Sequence, residues 1–418
     1  MKTAFFFLFI TVVLWGQERL VTPDDPYFKY QISFDNPGGT LTIPQLSFRL
    51  SPTETYTTQR GLDHNMRRAW SLTTGSKNIV VAILDDGFFY QHEDVKDNIW
   101  RNPGETGVDA NGLRKETNGV DDDSNGYVDD VVGWDFVFRD PDPDPYIFDG
   151  MDTTRIQPNW HAIAAMGIIG AKGNNAIGIA GINWDISMML LKKGAQGRKM
   201  GDQDPEEVGR AVRAIRYAVD NGARVINWSG YTEDQRPASI AALKAAFEYA
   251  DRHGVLIVIG AGNALKNLND PANCIYPPQC FEMDNLLSVA QLAFEGDLFR
   301  FKGSEGSYVS GSNFGPRYVH IAAIGNNFTT LMSWHSLSVY RLASGTSNAA
   351  PVVTGAAALM LSVHPELKAH ELKRILMESS RKLPSLQGKV ASGGLVDVYA
   401  AVKMALQKKA DYPSGSLQ

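Results

Sequence analysis

The 418-residue sequence has few cysteines and no long apolar segment, and these shortages exclude several classes of protein. It contains two cysteines, Cys274 and Cys280, so neither a disulfide-rich scaffold nor a four-cysteine zinc site can form. It also lacks an H-E-x-x-H motif, which argues against a zinc peptidase. No uninterrupted apolar run reaches 18 residues, so we predict no stable insertion into a membrane.

Positive charge is also in deficit. Lys and Arg number 40 against 46 Asp and Glu, which gives a formal net charge of −6. A polyanionic partner needs a basic surface, so we expect no nucleic-acid binding. Hydrophobic residues make up 44% of the chain, enough for a substantial core, and this excludes global disorder.

The N-terminus has the pattern of an export signal. Lys2 precedes an apolar run from Ala4 to Trp15, which is too short to cross a bilayer. We therefore predict a signal peptide at residues 1–16 and a secreted or periplasmic protein. In that compartment Cys274 and Cys280 could form a disulfide, although two free thiols remain an alternative.

The rest of the chain divides into three parts. Residues 17–60 have mixed composition and form a short N-terminal extension, with little room for a propeptide of domain size. Residues 61–404 alternate apolar strand-like runs with helical segments, and residues 405–418 are a polar tail. This alternation predicts an α/β fold with a mostly parallel central sheet and helices on both faces.

Three polar residues stand at the ends of apolar segments. Asp85 ends the strand-like run Val81–Leu84, His161 begins a helix of small residues, and Ser347 follows Gly345 before an Ala-rich helix. Each pattern alone is more often a turn or a helix cap. Together they supply the acid, the base and the nucleophile of covalent acyl transfer, in the order Asp, His, Ser.

These motifs resemble those of the subtilisin-like serine proteases, the subtilases. Gly345-Thr-Ser347-Asn-Ala-Ala-Pro351 is similar to the family's G-T-S-x-A-x-P motif. The resemblance implies a subtilisin-like fold, a monomer, protein or peptide substrates, and hydrolysis through an acyl-enzyme by a serine endopeptidase. It also implies that Asn263 stabilises the oxyanion and that an extended substrate pairs with Val225–Gly230. The implied specificity pocket comprises Ser229, Gly230, Ala261 and Gly262.

The histidine motif differs from the family pattern H-G-T-H-V-A-G-I-I. Ala162, Ile163 and Ala164 replace a glycine, a threonine and the second histidine. Displacement of the imidazole by the added methyl of Ala162 is therefore the alternative to an intact site, and a shift of about 1 Å can cost on the order of 100-fold in rate. Two alternatives follow: a catalytically impaired, peptide-binding pseudoprotease, or a peptide ligase on the same fold.

An acidic loop has the spacing of a calcium site. Oxygen-bearing side chains alternate from Asp121, and Gly126 stands at the sixth position, as in the first half of an EF-hand loop. We predict a structural calcium ion held by Asp121, Asp123, Asn125, Tyr127, Asp129 and Asp130. A solvated acidic loop is the alternative. Asp94 and Asn175 occupy places that resemble those of calcium ligands in subtilisin.

Overall fold

A computed structural model describes residues 19–43, 54–149, 152–158, 161–194, 206–303, 305–333 and 336–411. The predicted signal peptide lies outside these ranges. The helices are α1 (Met66–Ala69), α2 (His161–Gly170), α3 (Glu207–Asp220), α4 (Pro237–Arg252), α5 (Thr346–Val363), α6 (Ala369–Glu378) and α7 (Val398–Asp411).

The strands are short except for the one that carries Asp85. They are β1 (Gly39–Ile43), β2 (Glu54–Thr58), β3 (Gly75–Asp85), β4 (Gly133–Asp135), β5 (Tyr146–Asp149), β6 (Asp152–Pro158), β7 (Asp185–Lys192), β8 (Val225–Trp228), β9 (Leu256–Gly260), β10 (Leu286–Leu292), β11 (Arg300–Lys302), β12 (Tyr308–Gly311), β13 (Ile321–Ile324), β14 (Asn327–Ser333), β15 (Ser336–Ala343), β16 (Arg381–Lys382) and β17 (Gly394–Leu395).

A nine-stranded sheet organises the fold, in the order β16-β17-β13-β10-β9-β8-β3-β7-β4. Its pairs are parallel except for β16 with β17 at one edge. The pairs β1–β2, β5–β6, β11–β12 and β14–β15 form separate two-stranded antiparallel sheets. The architecture confirms the predicted α/β class with a mostly parallel sheet.

Both faces of the sheet are buried, which explains why its strands read as continuous apolar runs. On β3, Val81 and Ile83 face the cluster that contains α2, α5 and α7. Ala82 and Leu84 face the opposite cluster, with α3 and α4. Alternate residues of one strand therefore fill two cores, as the twofold period of a strand requires.

The structure extends the last helix beyond the position that the sequence suggested. Helix α7 runs through Asp411, although residues 405–418 were expected to be a polar tail. Ala405 is fully buried, Lys408 forms an ion pair with Glu371, and Lys409 donates a hydrogen bond to the carbonyl of Val363. Tertiary contacts thus stabilise a segment whose polar composition gave no such indication.

Helix α5 is the only described helix long and apolar enough to span a membrane by length and composition. It is 83% buried inside the protein and packs against α2, α7 and several sheet strands. Its apolar character is therefore that of a core helix.

The described part of the N-terminal extension packs onto the sheet domain. The backbone N–H of Tyr27 donates to the carbonyl of Gly178 over 2.9 Å, and the Gln31 side chain donates to the carbonyl of Ala180 over 2.7 Å. Phe28 and Phe34 are buried and contact Trp70. These residues thus share a core with the strands that follow.

The two cysteines form a disulfide, with their Cα atoms 5.7 Å apart. This confirms the pairing prediction over the alternative of free thiols. The loop that the disulfide closes contacts the segment after β8. The ring of Tyr276 lies 4.7 Å from that of Tyr231, and the N–H of Thr232 donates to the carbonyl of Pro277.

Replacing both cysteines by serine is expected to lower the free energy of unfolding by about 2 kcal/mol, since a short loop is no longer closed in the unfolded chain. Urea unfolding of the double variant measures the change. Wild-type protein treated with a reductant is the control and should lose the same amount. An unchanged unfolding midpoint in both samples would contradict the prediction.

Candidate active site

Asp85 lies at the carboxyl end of β3, an interior strand of the large sheet. Ligand sites of open α/β sheets gather at this end of the strands. The Asp85 side chain is 4% exposed, and its Oδ1 accepts a hydrogen bond from the backbone N–H of Asp86 over 2.8 Å. Burial and this hydrogen bond hold the carboxylate in one orientation.

His161 is the first residue of α2 and faces Asp85. Its Nδ1 lies 2.8 Å from Oδ1 and 2.9 Å from Oδ2 of Asp85. Ala162 and Ile163 are fully buried within the core cluster. The core thus accommodates Ala162 and Ile163 while the imidazole keeps its contact with Asp85.

The charge of Asp85 controls the basicity of the imidazole. Burial alone would lower the pKa of His161, but the Asp85 carboxylate, which is hydrogen-bonded to it, and the nearby Asp86 outweigh that effect. The pKa rises from the ordinary 6.5 to about 9. Above this pKa the ring is neutral, and a hydrogen bond from Nδ1 to the carboxylate then leaves Nε2 as the acceptor.

Ser347 stands in the first turn of α5, after Gly345, whose φ of +140° suits glycine. Its backbone carbonyl would normally accept the N–H of residue 351, but Pro351 has none. Ser229 supplies the missing donor, since its Oγ donates to the Ser347 carbonyl over 2.9 Å. The proline in the motif thus makes this carbonyl depend on a side chain from another element.

The donor at Ser229 is itself oriented by a buried chain of hydrogen bonds. The Asn227 amide nitrogen donates to Ser229 Oγ over 3.0 Å, and the Thr354 hydroxyl donates to the Asn227 amide oxygen over 2.9 Å. Asn227 and Thr354 are both fully buried. This chain connects the middle of α5, through β8, to the backbone of Ser347.

Asn263 is tied to the start of α5 by its side-chain oxygen. The backbone N–H of Thr346 donates to Asn263 Oδ1 over 2.9 Å. Among the residues the structure describes, the Asn263 amide nitrogen has no hydrogen bond and stays available as a donor. The N–H of Ser347, in the first helical turn, has no intrahelical acceptor. The hydrogen bond from Thr346 therefore brings two donors, from segments far apart in the chain, to the helix N-terminus.

The predicted specificity pocket is only partly accessible. Ala261 is fully buried, and its carbonyl accepts a hydrogen bond from Asn313 over 2.9 Å. Gly262 has φ +97°, and a Cβ there would lie 2.6 Å from Asn313 Nδ2 and 2.7 Å from Gln279 Nε2. Close packing within the protein already requires this glycine. Ser229 and Gly230 are half-buried.

The strand predicted to pair with substrate is largely occupied. Residues Val225–Trp228 form β8, which pairs with β3 on one side and with β9 on the other. Only Ser229 and Gly230, after the end of β8, leave the sheet. The prediction that substrate pairs along the whole of Val225–Gly230 is therefore wrong, because β8 has no open edge there.

The acidic loop brings together a set of carboxylates that differs from the predicted one. Oxygens of Glu105, Asp123 and Asp130 lie within 4.8 Å of one another. Glu105 and Asp130 are fully buried. Glu105 was not predicted, because it lies in a turn 18 residues before Asp123 and no local spacing connects the two.

The other predicted ligands make different contacts. Asp121 accepts hydrogen bonds from the backbone N–H groups of Asn125 and Gly126, and both oxygens of Asp129 accept the N–H of Gly119.

The side chains of Tyr127 and Asn125 are also engaged. The Tyr127 ring packs against Trp134, Phe136 and Tyr217. The Asn125 amide nitrogen donates to Asp123 and Asp130. The amide N–H groups of Asn125 thus point at two of the clustered carboxylates, whose negative charge attracts the partial positive charge of a donor.

This cluster fits a calcium ion by two tests. Burial raises the pKa of Glu105 and Asp130, and the neighbouring carboxylates raise both further. Glu105 Oε2 is buried without a hydrogen-bond partner, while Oε1 accepts the N–H of Asp122 over 2.7 Å. An all-oxygen set with one unsatisfied buried carboxylate oxygen matches the ligand preference of calcium.

A second acidic group joins the N-terminal segment to the loop after α2. Asn175 Nδ2 donates to Asp94 Oδ1 over 3.3 Å, and Asp25 accepts the N–H of Asn174 over 2.7 Å. Burial raises the pKa of Asp94 to about 8. The structure therefore brings together Asp94 and Asn175, the two residues whose places resemble those of calcium ligands, and adds Asp25 beside them.

The sequence is similar to those of known proteases. A model of the subtilase family matches residues 76–396. Subtilisin-like protease 1 of Plasmodium falciparum (isolate 3D7) is 30% identical over 347 residues, covering 81% of this chain and 45% of that protein. Halolysin-like extracellular serine protease Nep of Natrialba magadii is 29% identical over 317 residues, covering 76% and 46%. The chain spans about half the length of these relatives.

Solved structures show the same fold. A protease from Pseudoalteromonas arctica PAMC 21717 superposes with a TM-score of 0.63 at 24% identity, covering 92% of this chain and 100% of that one. A chain from the subtilase cytotoxin SubAB gives 0.57 at 22% identity, covering 82% and 95%.

Replacing Asp85 by Asn is expected to lower the pKa of His161 well below about 9, because the charge of Asp85 is lost and only the weaker effect of Asp86 then opposes burial. NMR titration of the imidazole measures this shift. His64 is the internal control: burial lowers its pKa to about 4, and it should not change. An unchanged His161 titration in Asp85→Asn would contradict the electrostatic pairing.

Proposed function

Since the chain belongs to the subtilase family of serine proteases, we propose that it is a secreted endopeptidase with Asp85, His161 and Ser347 as its catalytic triad. One observation carries the proposal: the His161 imidazole is held against both oxygens of a buried carboxylate, 2.8 and 2.9 Å away. This contact persists despite the altered histidine motif and favours an active enzyme over the pseudoprotease alternative.

In the proposed reaction, His161 Nε2 takes the proton of Ser347 Oγ as this oxygen attacks the carbonyl carbon of the scissile peptide bond. Asp85 holds the imidazole in the required tautomer and stabilises the imidazolium. His161 then protonates the leaving amine as the C–N bond breaks, which leaves an acyl-enzyme. A water molecule, deprotonated by His161, hydrolyses the ester and restores Ser347.

The negative oxygen that forms during the attack requires donors in place before the reaction. We assign this role to the Asn263 amide nitrogen and the Ser347 backbone N–H. The bond from Thr346 to Asn263 Oδ1 supports the assignment, because it leaves the amide nitrogen as the free end of the group. Removing one such donor typically costs about 2.7–4 kcal/mol of transition-state stabilisation.

Substrate binding is proposed to begin where β8 ends. An extended peptide would pair with the backbone of Ser229 and Gly230, which lie outside the sheet ladder. Tyr231 is 38% exposed, and its ring packs on Tyr276 of the disulfide loop. These aromatic rings would form one rim of the specificity pocket.

We also propose a structural calcium ion held by Glu105, Asp123 and Asp130, and an extracytoplasmic location. The ion would neutralise buried carboxylates and stabilise the acidic loop, and the chemistry at Ser347 does not involve it. The location is supported by the disulfide and by relatives that include extracellular proteases.

Purified protein is expected to react covalently with a fluorophosphonate at Ser347, since the reagent attacks only an activated serine hydroxyl. Intact mass and peptide mapping identify the modified residue. Ser347→Ala and His161→Ala are the controls and should not be labelled. Folded wild-type protein that stays unlabelled in calcium would reject the protease proposal.

Calcium is expected to raise the thermal midpoint of the wild-type protein, and Glu105→Gln should abolish most of that increase. Without calcium the same substitution should stabilise the protein, because it removes a buried, unpaired charge. Thermal unfolding in calcium and in a chelator measures both effects. Asp129→Asn is the matched control and should keep the calcium response, since its oxygens bind the N–H of Gly119. Equal losses in the two variants would favour the ligand set predicted from sequence.

A further inference from the structure

Strand β14 makes side-chain hydrogen bonds to the helix that carries His161. The Thr330 hydroxyl donates to the backbone carbonyl of Ile163 over 2.6 Å, and the Thr329 hydroxyl donates to that of Ala164 over 2.9 Å. Both threonines are fully buried. The two acceptors lie two and three residues after His161, in the first turn of α2.

The approach of β14 to α2 is unusually close. A Cβ at Gly167 would lie 2.1 Å from Thr330 Oγ1 and 2.6 Å from Thr329 Oγ1. Only a residue without a side chain fits at this position. The contact between the threonines and the helix is therefore part of the packing of α2, rather than a chance meeting of surface groups.

After His161, whose imidazole contacts Asp85, helix α2 has no polar side chain that could fix its position. All residues from Ala162 to Gly170 are buried, and all are apolar or glycine. Apolar burial is nondirectional, so it holds the helix in the core but sets its axial position only weakly. Hydrogen bonds from Ile182, Asn183 and Asn98 to the last three carbonyls fix the C-terminal end of α2. The two threonines supply the directional constraint on the backbone of its first turn.

The same strand also holds the helix that carries Ser347. The Asn327 amide nitrogen donates to the backbone carbonyl of Asn348 over 3.0 Å. Asn327 Oδ1 accepts the Ser33 hydroxyl over 2.6 Å, which fixes the orientation of the amide. One strand thus contacts the residue after Ser347 on α5 and the first turn after His161 on α2.

From this arrangement we infer that Thr329 and Thr330 are positioning residues, which set the placement of His161 relative to Ser347 through the first turn of α2. The inference rests on the proposed catalytic roles of His161 and Ser347. Neither threonine takes part in the reaction itself.

Thr330→Val removes the hydroxyl and keeps the shape of the side chain, whereas Thr330→Ser keeps the hydroxyl. For hydrolysis of a short peptide, the valine variant should lose about 10-fold or more in kcat, because a small displacement of the base slows proton transfer. KM should stay within about twofold, since no substrate contact is lost. The serine variant should recover most of the kcat.

Thr58→Val is the matched control. Thr58 is also buried, and its hydroxyl donates to Asn36 Oδ1 over 2.8 Å, away from the site. This variant should lower the thermal midpoint and leave kcat unchanged. If Thr330→Val behaves in the same way, or if serine fails to rescue it, the threonines are structural and the inference is overturned.

A readout that needs no turnover separates this inference from the proposed function. The NMR signal of the His161 Nδ1 proton should shift in Thr330→Val and return in Thr330→Ser. If the fluorophosphonate fails to label Ser347 in the wild-type protein, only the protease proposal is rejected. If the NMR signal of the His161 Nδ1 proton is unchanged in Thr330→Val, the positioning inference is rejected, even when the enzyme is active.

Discussion

The contact between His161 and Asp85 is the constraint on which the arrangement of the site depends. It joins the carboxyl end of β3 to the first residue of α2, two segments 76 positions apart in the chain. It holds only if the sheet presents Asp85 at the end of an interior strand and if α2 keeps its position in the core. The parallel sheet provides the first condition, and the packing of α2 against α5 and β14 provides the second.

Hydrogen bonds from other elements hold the backbone at Ser347 and in the turn that follows His161. Pro351 leaves the Ser347 carbonyl without an intrahelical donor, and Ser229 satisfies it from beyond the end of β8. Thr329 and Thr330 contact carbonyls in the first turn after His161. Ser347 and His161 thus lie on apolar helices whose first turns are held by polar groups of other elements.

Local signals in the sequence predicted much of the fold and singled out Asp85 and His161, which the structure brings into contact. Apolar runs identified the central strands because both sheet faces are buried, and Asp85 was recognisable because it ends such a run. Glu105 could not be predicted, since only the fold of the loop brings it to Asp123 and Asp130. The threonines of β14 were missed for the same reason. The role of Ser229 had a local signal that was not used: a proline four residues after Ser347.

The altered histidine motif illustrates the limit of comparing motifs position by position. The methyl that Ala162 adds is fully buried, and the imidazole still contacts Asp85. The most direct test of the proposed endopeptidase activity is to incubate the enzyme with an unfolded substrate protein and to map the new termini of that substrate by mass spectrometry. The account predicts cleavage at internal peptide bonds by the wild type and none by Ser347→Ala. Equal cleavage by both, or no cleavage by either, would contradict it.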